Sequence, residues 1–365
     1  MNTTEEFEKD IEFFDREAEK REILNILRAK PQLINFIYGP INSGKTTLIT
    51  DLIEELPENY VVFYVNLRRK SVIKYEDFIR VLFSVEKNKE IKDIITGLLA
   101  KAEKAIYASQ GIPVNDSLLD TFLKKDSKAD VLEFLENYFK EISKTKDPVL
   151  IIDELQVIGD LEIDGKLIYR LFNFFIGLTK ELHLCHVFAL SSDSLFIEKA
   201  YNEAMLEGRA NYILVDDFDE KTAKKFLERY RIKGEEIKYI LDHVGGKPID
   251  LVELIYPEDK KKEIEQRISL RSGQIERALK RVKELGEKII MDDVKHDVSY
   301  ENLLKTLSKF KDGEEIKCNE IDEISESFFA KKNVLFVDPV RKMIKPQSGI
   351  NLLAIREVLK EIRDV

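Results

Sequence analysis

The chain has 365 residues, 44% hydrophobic and 35% charged, and its 69 acidic residues outnumber 59 basic ones for a net charge of −10. At ~150 residues per domain the length predicts two or three domains. The apolar share is too high for intrinsic disorder, and the acidic balance excludes a global polycation built to coat nucleic acid. Cys185 and Cys318 are the only cysteines, so neither a disulfide framework nor a C-x-x-C metal site is encoded. The polar N-terminus, M-N-T-T-E-E-F-E-K-D, is unlike a secretory signal, and no run approaches 18 uncharged apolar residues. These features predict a soluble cytoplasmic protein with no membrane partner. Abundant Lys and Glu, with no Trp, lean towards a thermophile.

The first 30 residues read as a helix with an apolar stripe at Ile23, Leu24, Ile26 and Leu27, broken by Pro31. Ile34 to Tyr38 is an apolar, β-branched run that reads as a buried strand. A helix follows from Gly44, with Leu48, Ile49, Leu52, Ile53 and Leu56 on one face and Pro57 as its stop. Tyr60 to Val65 reads as a second strand, and residues 75–146 as mostly helical, with a polar loop near Gly111–Ser117. Val149 to Ile152, closed by Asp153, is a third strand. A helix over 166–181, a strand over 186–191, a short helix and a strand at 212–215 come next. Five buried strands alternating with helices predict a parallel sheet covered on both faces. A smaller helical unit is predicted over 219–256, a charged helical connector over 258–297, and from Ser299 two helices, a hairpin and a closing helix.

Gly39, Pro40, Ile41, Asn42, Ser43, Gly44, Lys45 and Thr46 match G-x-x-x-x-G-K-[ST] in full, between a buried strand and an amphipathic helix. In such a loop the backbone N–H groups and the helix N-terminus surround polyphosphate oxygens. Lys45 supplies a cation for the β- and γ-phosphates, and the Thr46 hydroxyl is a ligand for Mg²⁺; Thr47 completes the nucleotide-binding stretch. P-V-L-I-I-D-E-L-Q, Pro148 to Gln156, places Asp153 and Glu154 at the end of the third strand. There Asp153 would hold Mg²⁺ through water, and Glu154 would orient and deprotonate the attacking water. The Asp-Glu pair without an N-K-x-D motif points to ATP rather than GTP. The intervening strand at 60–65 suits the subclass with an extra strand between the two motifs.

In these residues the chain resembles the archaeal ATPase family, a branch of the AAA+/STAND-type P-loop ATPases, over roughly residues 12–256. The markers are F-F-D-R-E at 13–17, G-P-I-N-S-G-K-T-T at 39–47, L-I-I-D-E-L-Q at 150–156, the pair Ser191–Ser192, G-R-A at 208–210 and G-G-K-P at 245–248. The resemblance implies a P-loop NTPase α/β fold, a parallel sheet with a helical lid and a winged-helix-like C-terminal domain. The expected domains are an ATPase core over 1–217, a lid over 218–257, a helical connector over 258–298 and the winged-helix-like domain over 299–365. It also implies a polar sensor at Ser191 or Ser192, a γ-phosphate arginine at Arg209, acting in the same or a neighbouring chain, and a lid turn whose Pro248 packs near the base. Asp15, Arg16 and Glu17 resemble the family signature beside the adenine pocket, and Arg68 stands at a family-like position without a stated role.

Other signals read as structural. His183, Cys185 and His186 lack a zinc spacing, Lys260–Lys262 is followed by Glu263 and Glu265 as on a solvated helix face, and Phe172, Phe174 and Phe175 read as core. Related origin-recognition ATPases end in a DNA-binding winged helix, and the tail here is similar in order but one helix short. Its would-be recognition helix, 319–331, carries Glu320, Asp322, Glu323 and Glu326, which phosphates repel. Residues 258–365 hold 23 basic and 22 acidic residues, and Lys331, Lys332, Arg341, Lys342 and Lys345 offer at most a small patch. The reading is therefore an ATP- and Mg²⁺-dependent ATPase switch with a protein partner or self-association. A DNA-associated ATPase of the origin-recognition or mobile-element kind, and a nucleotide-binding scaffold with negligible turnover, are the alternatives.

Overall fold

A computed structural model describes residues 13–100, 106–108, 111–124, 130–159, 166–291 and 294–363. The acidic N-terminal decapeptide, and part of the expected first helix, lie outside them. The chain divides into two compact units: one holds 17–39 and 48–215, the other 13–16, 40–47 and everything from Asp216 onwards.

In the first unit, α1 (Glu17–Arg28) buries Ile23 and Leu27 and ends before Pro31. The chain continues through β1 (Ile34–Tyr38), α2 (Lys45–Glu55) and β2 (Tyr60–Asn66). Lys20 of α1, almost fully buried, forms ion pairs with Asp51 and Glu55 of α2. Between β2 and the next long strand lie α3 (Tyr75–Leu82), β3 (Phe83–Val85), α4 (Ile91–Ala100), β4 (Ile106–Ala108), β5 (Ile112–Val114), α5 (Asp116–Leu123) and α6 (Val131–Ile142). The polar loop expected near Gly111–Ser117 is instead a strand that pairs in parallel with β3, followed by an Asn115 cap on α5. Gly111 has φ +110°, and a Cβ there would sit 2.8 Å from the Leu82 carbonyl, so only glycine fits.

The unit closes with β6 (Asp147–Asp153), α7 (Leu167–Ile176) and its π-helical turn Gly177–Glu181, β7 (His186–Ser191), α8 (Ser194–Asn202) and β8 (Ala210–Leu214). Six strands form one sheet in the order β4-β2-β6-β7-β1-β8, all parallel. The five predicted strands are present, with short β4 added at an edge. The strand between β1 and β6 is β7, not β2, which lies on the far side of β6. The 60–65 strand separates the two motifs along the chain but not across the sheet. Phe36 of β1 stacks on Tyr212 of β8 and meets Phe172 of α7 edge-on. Phe172 and Phe175 are buried, as core residues.

In the second unit α9 (Glu220–Arg229), α10 (Gly234–Val244) and α11 (Pro248–Glu253) enclose Ala223, Phe226, Leu227, Ile240 and Leu251, joined by Ile264 and Ile350. Ile264 belongs to α12 (Lys260–Leu285), which packs along the closing helix. The connector expected to be helical to residue 297 is helical only to Leu285. Gly286, at φ +70°, ends it, and β9 (Lys288–Met291) pairs antiparallel with β10 (Val294–Asp297). Then follow α13 (Tyr300–Ser308), β11 (Ile316–Lys317), α14 (Glu323–Lys331), β12 (Leu335–Asp338), β13 (Met343–Pro346) and α15 (Gly349–Arg363), with β11, β13 and β12 in one small sheet.

Helix α14 is the segment read as a would-be recognition helix. Ser325 to Ala330 are all buried, Glu326 included, so that stretch packs inward rather than facing solvent. The basic patch around it is also largely engaged: Lys331 donates to the Ile290 carbonyl, Lys332 pairs with Glu287 and Lys345 with Asp216.

The His183–His186 segment runs from the surface, where His183 is exposed, into the core. Cys185 and His186 are buried, and His183 Nδ1 lies 2.6 Å from the Pro31 carbonyl. Burial lowers the His186 pKa to about 4, against partial opposition from Asp147. The folded state therefore favours the neutral ring. Its contribution is fully present above the ordinary histidine value near 6.5 and is lost as pH falls towards 4, on the order of 3 kcal/mol. Chemical denaturation between pH 7.5 and 4.5 is expected to show that loss, and His186→Gln should flatten the profile.

Candidate functional site

The loop after β1 adopts a conformation that ordinary residues resist. Asn42 has φ 59° and Gly44 φ 92°, both in the left-handed region, where glycine costs nothing and asparagine little. Ser43 is fully buried and Lys45 nearly so. The Lys45 ammonium folds back over its own loop, donating to the Pro40 carbonyl at 2.8 Å and to Ser43 Oγ at 3.4 Å. Thr46 and Thr47 continue the first turn of α2.

Three side chains from outside the loop fix its backbone, all within the same unit. Arg16 Nη2 donates to the Ser43 carbonyl and to the Asp216 carbonyl, each at 2.7 Å, and its guanidinium lies 4.5 Å over the Phe218 ring. Lys247 Nζ donates to the Ile41 carbonyl at 2.9 Å and pairs with Asp217 at 2.8 Å. The Ile41 N–H donates to Gln347 Oε1 at 3.1 Å, while Gln347 Nε2 donates to the Leu335 carbonyl. Lys345, two residues earlier, pairs with both oxygens of Asp216 at 2.6 and 2.7 Å.

Local sequence explains how these groups arrive. Asp15 and Arg16 both have positive φ, 60° and 75°, a cost of order 1–3 kcal/mol each. The two Arg16 hydrogen bonds, at about 1.5–3 kcal/mol for bonds to a charged donor, offset it. The Asp15 carboxylate accepts from Thr222 Oγ1 at 2.8 Å, and Phe14 packs edge-on against Phe218 and Phe226. In G-G-K-P, Gly246 is required because a Cβ there would fall 1.8 Å from the Phe218 carbonyl. Phe218 N donates to Gly246 O at 2.9 Å, which holds Lys247 at the start of α11. Pro248 is the first residue of that helix, half-buried. Next to it Asp250 is pushed up to about 6 by burial, against the pull of Lys247 and Arg267.

In the sheet-bearing unit Asp153 and Glu154 stand at the carboxyl end of β6, the end at which the chain also leaves β1 for the loop. Asp153 is buried, and its Oδ2 accepts from the Tyr64 hydroxyl and from Asn66 Nδ2 at 3.4 Å, both on β2. Glu154 has φ 63°, which turns its side chain away from the strand direction. Its Oε1 pairs with Arg68 Nη1 at 3.0 Å, and its Oε2 accepts from Gln156 Nε2. Gln156 Oε1 accepts from Ser191 Oγ at 2.9 Å, and Ser191 Oγ accepts from the Asp193 N–H. One network thus runs Ser191–Gln156–Glu154–Arg68. Ser192 is half-buried beside it.

The structure assembles Ser191 with Glu154, and Arg16 with the loop. It does not bring Arg209 to the same sheet edge. Arg209 precedes Ala210, which pairs with Ile34 at the amino end of β1, and Nη1 donates to the Met205 carbonyl at 2.9 Å. At ~3.3 Å per residue it lies about 16 Å of strand from the carboxyl edge of β8. Sequence reading missed Tyr64, Asn66, Gln156, Asp217, Lys247 and Gln347 as site partners. Gln156 and Lys247 lay inside quoted motifs, but nothing local marks Gln347, 306 residues from the loop amide it binds.

The first model to match, over residues 13–254, is that of an ATPase domain predominantly from Archaea, and a second match over 261–359 is to the C-terminal domain of MJ1010-like uncharacterized ATP-binding proteins. The chain is 45% identical to the uncharacterized ATP-binding protein MJ1659 of Methanocaldococcus jannaschii, covering 97% of this chain and 99% of that one. It is 43% identical to PYRAB06260, an uncharacterized ATP-binding protein of Pyrococcus abyssi, over 95% and 99%. Among solved structures, the Walker-type ATPase PABY2304 of Pyrococcus abyssi superposes with a TM-score of 0.62 at 16% identity, over 94% of this chain and 96% of that one. The chain belongs to the archaeal ATPase family and is an ATP-binding protein with a P-loop α/β fold. No helix among the described residues is long and apolar enough to cross a membrane.

Removing the loop cation gives the most direct check on this site. Lys45→Ala should weaken ATP binding at least tenfold, measured by calorimetric titration, with the thermal melt of the free protein little changed.

Proposed function

We propose that the protein is a Mg²⁺-dependent ATPase of the AAA+/STAND type that works as a nucleotide-driven conformational switch, read out by its C-terminal tail. The observation that carries this reading is the loop's anchorage: a tail side chain, Gln347, accepts a hydrogen bond from the loop amide of Ile41. A change in the loop on binding or losing phosphates acts on that bond directly. The position of β7 between β1 and β6 supports placement in the subclass with an additional strand between the two motifs.

The donor set fits Mg²⁺, a hard cation that takes oxygen ligands and keeps several waters. The Thr46 hydroxyl and the Asp153 carboxylate would hold it, and when bound it would neutralise charge on the phosphate oxygens. Tyr64 and Asn66 orient the Asp153 carboxylate by occupying Oδ2. Lys45 stabilises charge on the β- and γ-phosphates. Glu154 accepts the proton of the attacking water, and Gln156 with Ser191 fixes the direction of its carboxylate. Arg16 stands beside the loop backbone and the Phe218 ring, consistent with an adenine-side role, and Pro248 opens the helix that follows Lys247. Arg209, at the far end of β8, would serve a neighbouring copy of the chain, which makes self-association part of the proposal.

Chemistry and binding separate at the two carboxylates. Glu154→Gln should leave ATP binding within about twofold and lower single-turnover hydrolysis about 10²-fold or more, the usual scale for losing a general base. Asp153→Asn should weaken Mg²⁺-dependent binding as well. Near-wild-type hydrolysis in Glu154→Gln would remove Glu154 from the mechanism.

The switch has its own test at Gln347. Gln347→Ala removes the tail's bond to the loop while leaving Lys45, Asp153 and Glu154 in place. Limited proteolysis of the wild type is expected to give different tail cleavage rates with ATP and ADP, and the variant should lose that difference. An unchanged nucleotide dependence would remove the tail from the mechanism.

A further inference from the structure

The sheet-bearing unit contains a cavity of about 580 Å³ formed by the turn after β2, helix α3 and the β3–β5 pair, for which the proposed ATP chemistry has no use. Its apolar side includes Phe83 and Pro113. Its polar side presents three cations, Arg69, Lys70 and Arg80, and one carboxylate, Glu86. Glu86 is paired with Lys89 at 2.9 Å. Lys70 Nζ donates to the Arg80 carbonyl at 3.3 Å, which ties the β2 turn to α3. Among the described residues, neither the Arg69 nor the Arg80 guanidinium has a hydrogen-bond or ion-pair partner. In a chain of net charge −10, two unpaired guanidiniums and an ammonium around one concavity stand out from the average surface.

The chemistry of that lining selects its ligand. Guanidinium forks bind phosphate oxygens in pairs, with an ammonium as an added point charge. A volume near 580 Å³ falls within the roughly 300–1,000 Å³ of small-molecule sites. A nucleic-acid backbone would instead be tracked by a continuous basic stripe. We infer that this cavity binds a small phosphorylated organic molecule, its phosphate held by Arg69, Lys70 and Arg80 and its apolar body against Phe83 and Pro113.

The site borders the hydrolytic carboxylates. Asn66 closes one wall of the cavity, donates to Asp153 and accepts from the Arg68 N–H. Arg68 in turn holds Glu154, and the next residue along, Arg69, faces the cavity. An anion drawn to the 68–70 turn therefore acts one residue away from the group that pairs with Glu154.

The test uses inorganic pyrophosphate as the probe and calorimetric titration of the full chain. Pyrophosphate also suits the nucleotide loop, so the titration is made in the Lys45→Ala background. One pyrophosphate site is expected to remain there. Adding Arg69→Ala and Arg80→Ala should weaken it at least tenfold, and adding Glu86→Gln instead should tighten it severalfold. Both arginines are exposed, so the fold is retained, as a thermal melt would verify. Unchanged affinity on losing the two arginines, or no residual site in Lys45→Ala, overturns the proposal. So does duplex DNA binding that depends on the arginines while pyrophosphate does not bind. Failure of Lys45→Ala to lose ATP would bear on the nucleotide loop alone.

Discussion

A polyphosphate loop works only if its amide vectors are fixed before the ligand arrives, and the segment Pro40–Thr47 includes two left-handed residues, Asn42 and Gly44, that leave it poorly held by local preference alone. The protein supplies the missing restraint from outside. Arg16 and Lys247 each donate to a loop carbonyl, and Gln347 accepts from a loop amide. Each of the two cations is itself tied down: Arg16 by the Asp216 carbonyl and the Phe218 ring, Lys247 by Asp217. The short stretch Asp216–Phe218 is therefore a shared anchor of the unit, since it also receives Lys345 from the tail.

The energetic weight of these contacts follows from their burial. Lys247 and Asp217 have side chains only 5% and 19% exposed. Removing one partner of such a pair costs about 3–5 kcal/mol, because the other charge is left in a poor solvent. Exposed pairs such as Lys144–Glu141 are worth roughly 1 kcal/mol or less. The loop's conformation is thus sensitive to a few buried groups and indifferent to most of the surface charge. Arg271 plays a comparable part further on, joining α12 to Asn351 and to the carbonyls of Lys332 and Asn333.

The carboxylates of β6 show a different economy. Asp153 is oriented by two donors from the neighbouring strand β2, at the register position where Asn66 faces it. Glu154 is oriented by groups from two directions, Arg68 after β2 and Gln156 in its own turn. The 67–70 turn thus carries the Arg68 partner of Glu154, separately from the strand that precedes that carboxylate.

The motifs were legible in the sequence because each is local. G-P-I-N-S-G-K-T and L-I-I-D-E-L-Q need only a strand, a turn and a few side chains, and hydrophobic runs and periodicity set the five long strands and their helices. Local pattern also explains the misreadings. A three-residue strand such as Ile112–Val114 has too few positions for a period, and β9 and β10 alternate too briefly to be told from the charged helix before them. What only the tertiary structure decided is everything that depends on spatial rather than chain order. It put β7 between β1 and β6, Arg209 at the opposite sheet edge from Ser191, and α14 with its acidic residue Glu326 facing inward. It also brought Gln347 to Ile41 across 306 residues. A hydrogen bond or register of that span leaves no spacing signature, because it is set by how whole elements pack and not by what stands beside it in the chain.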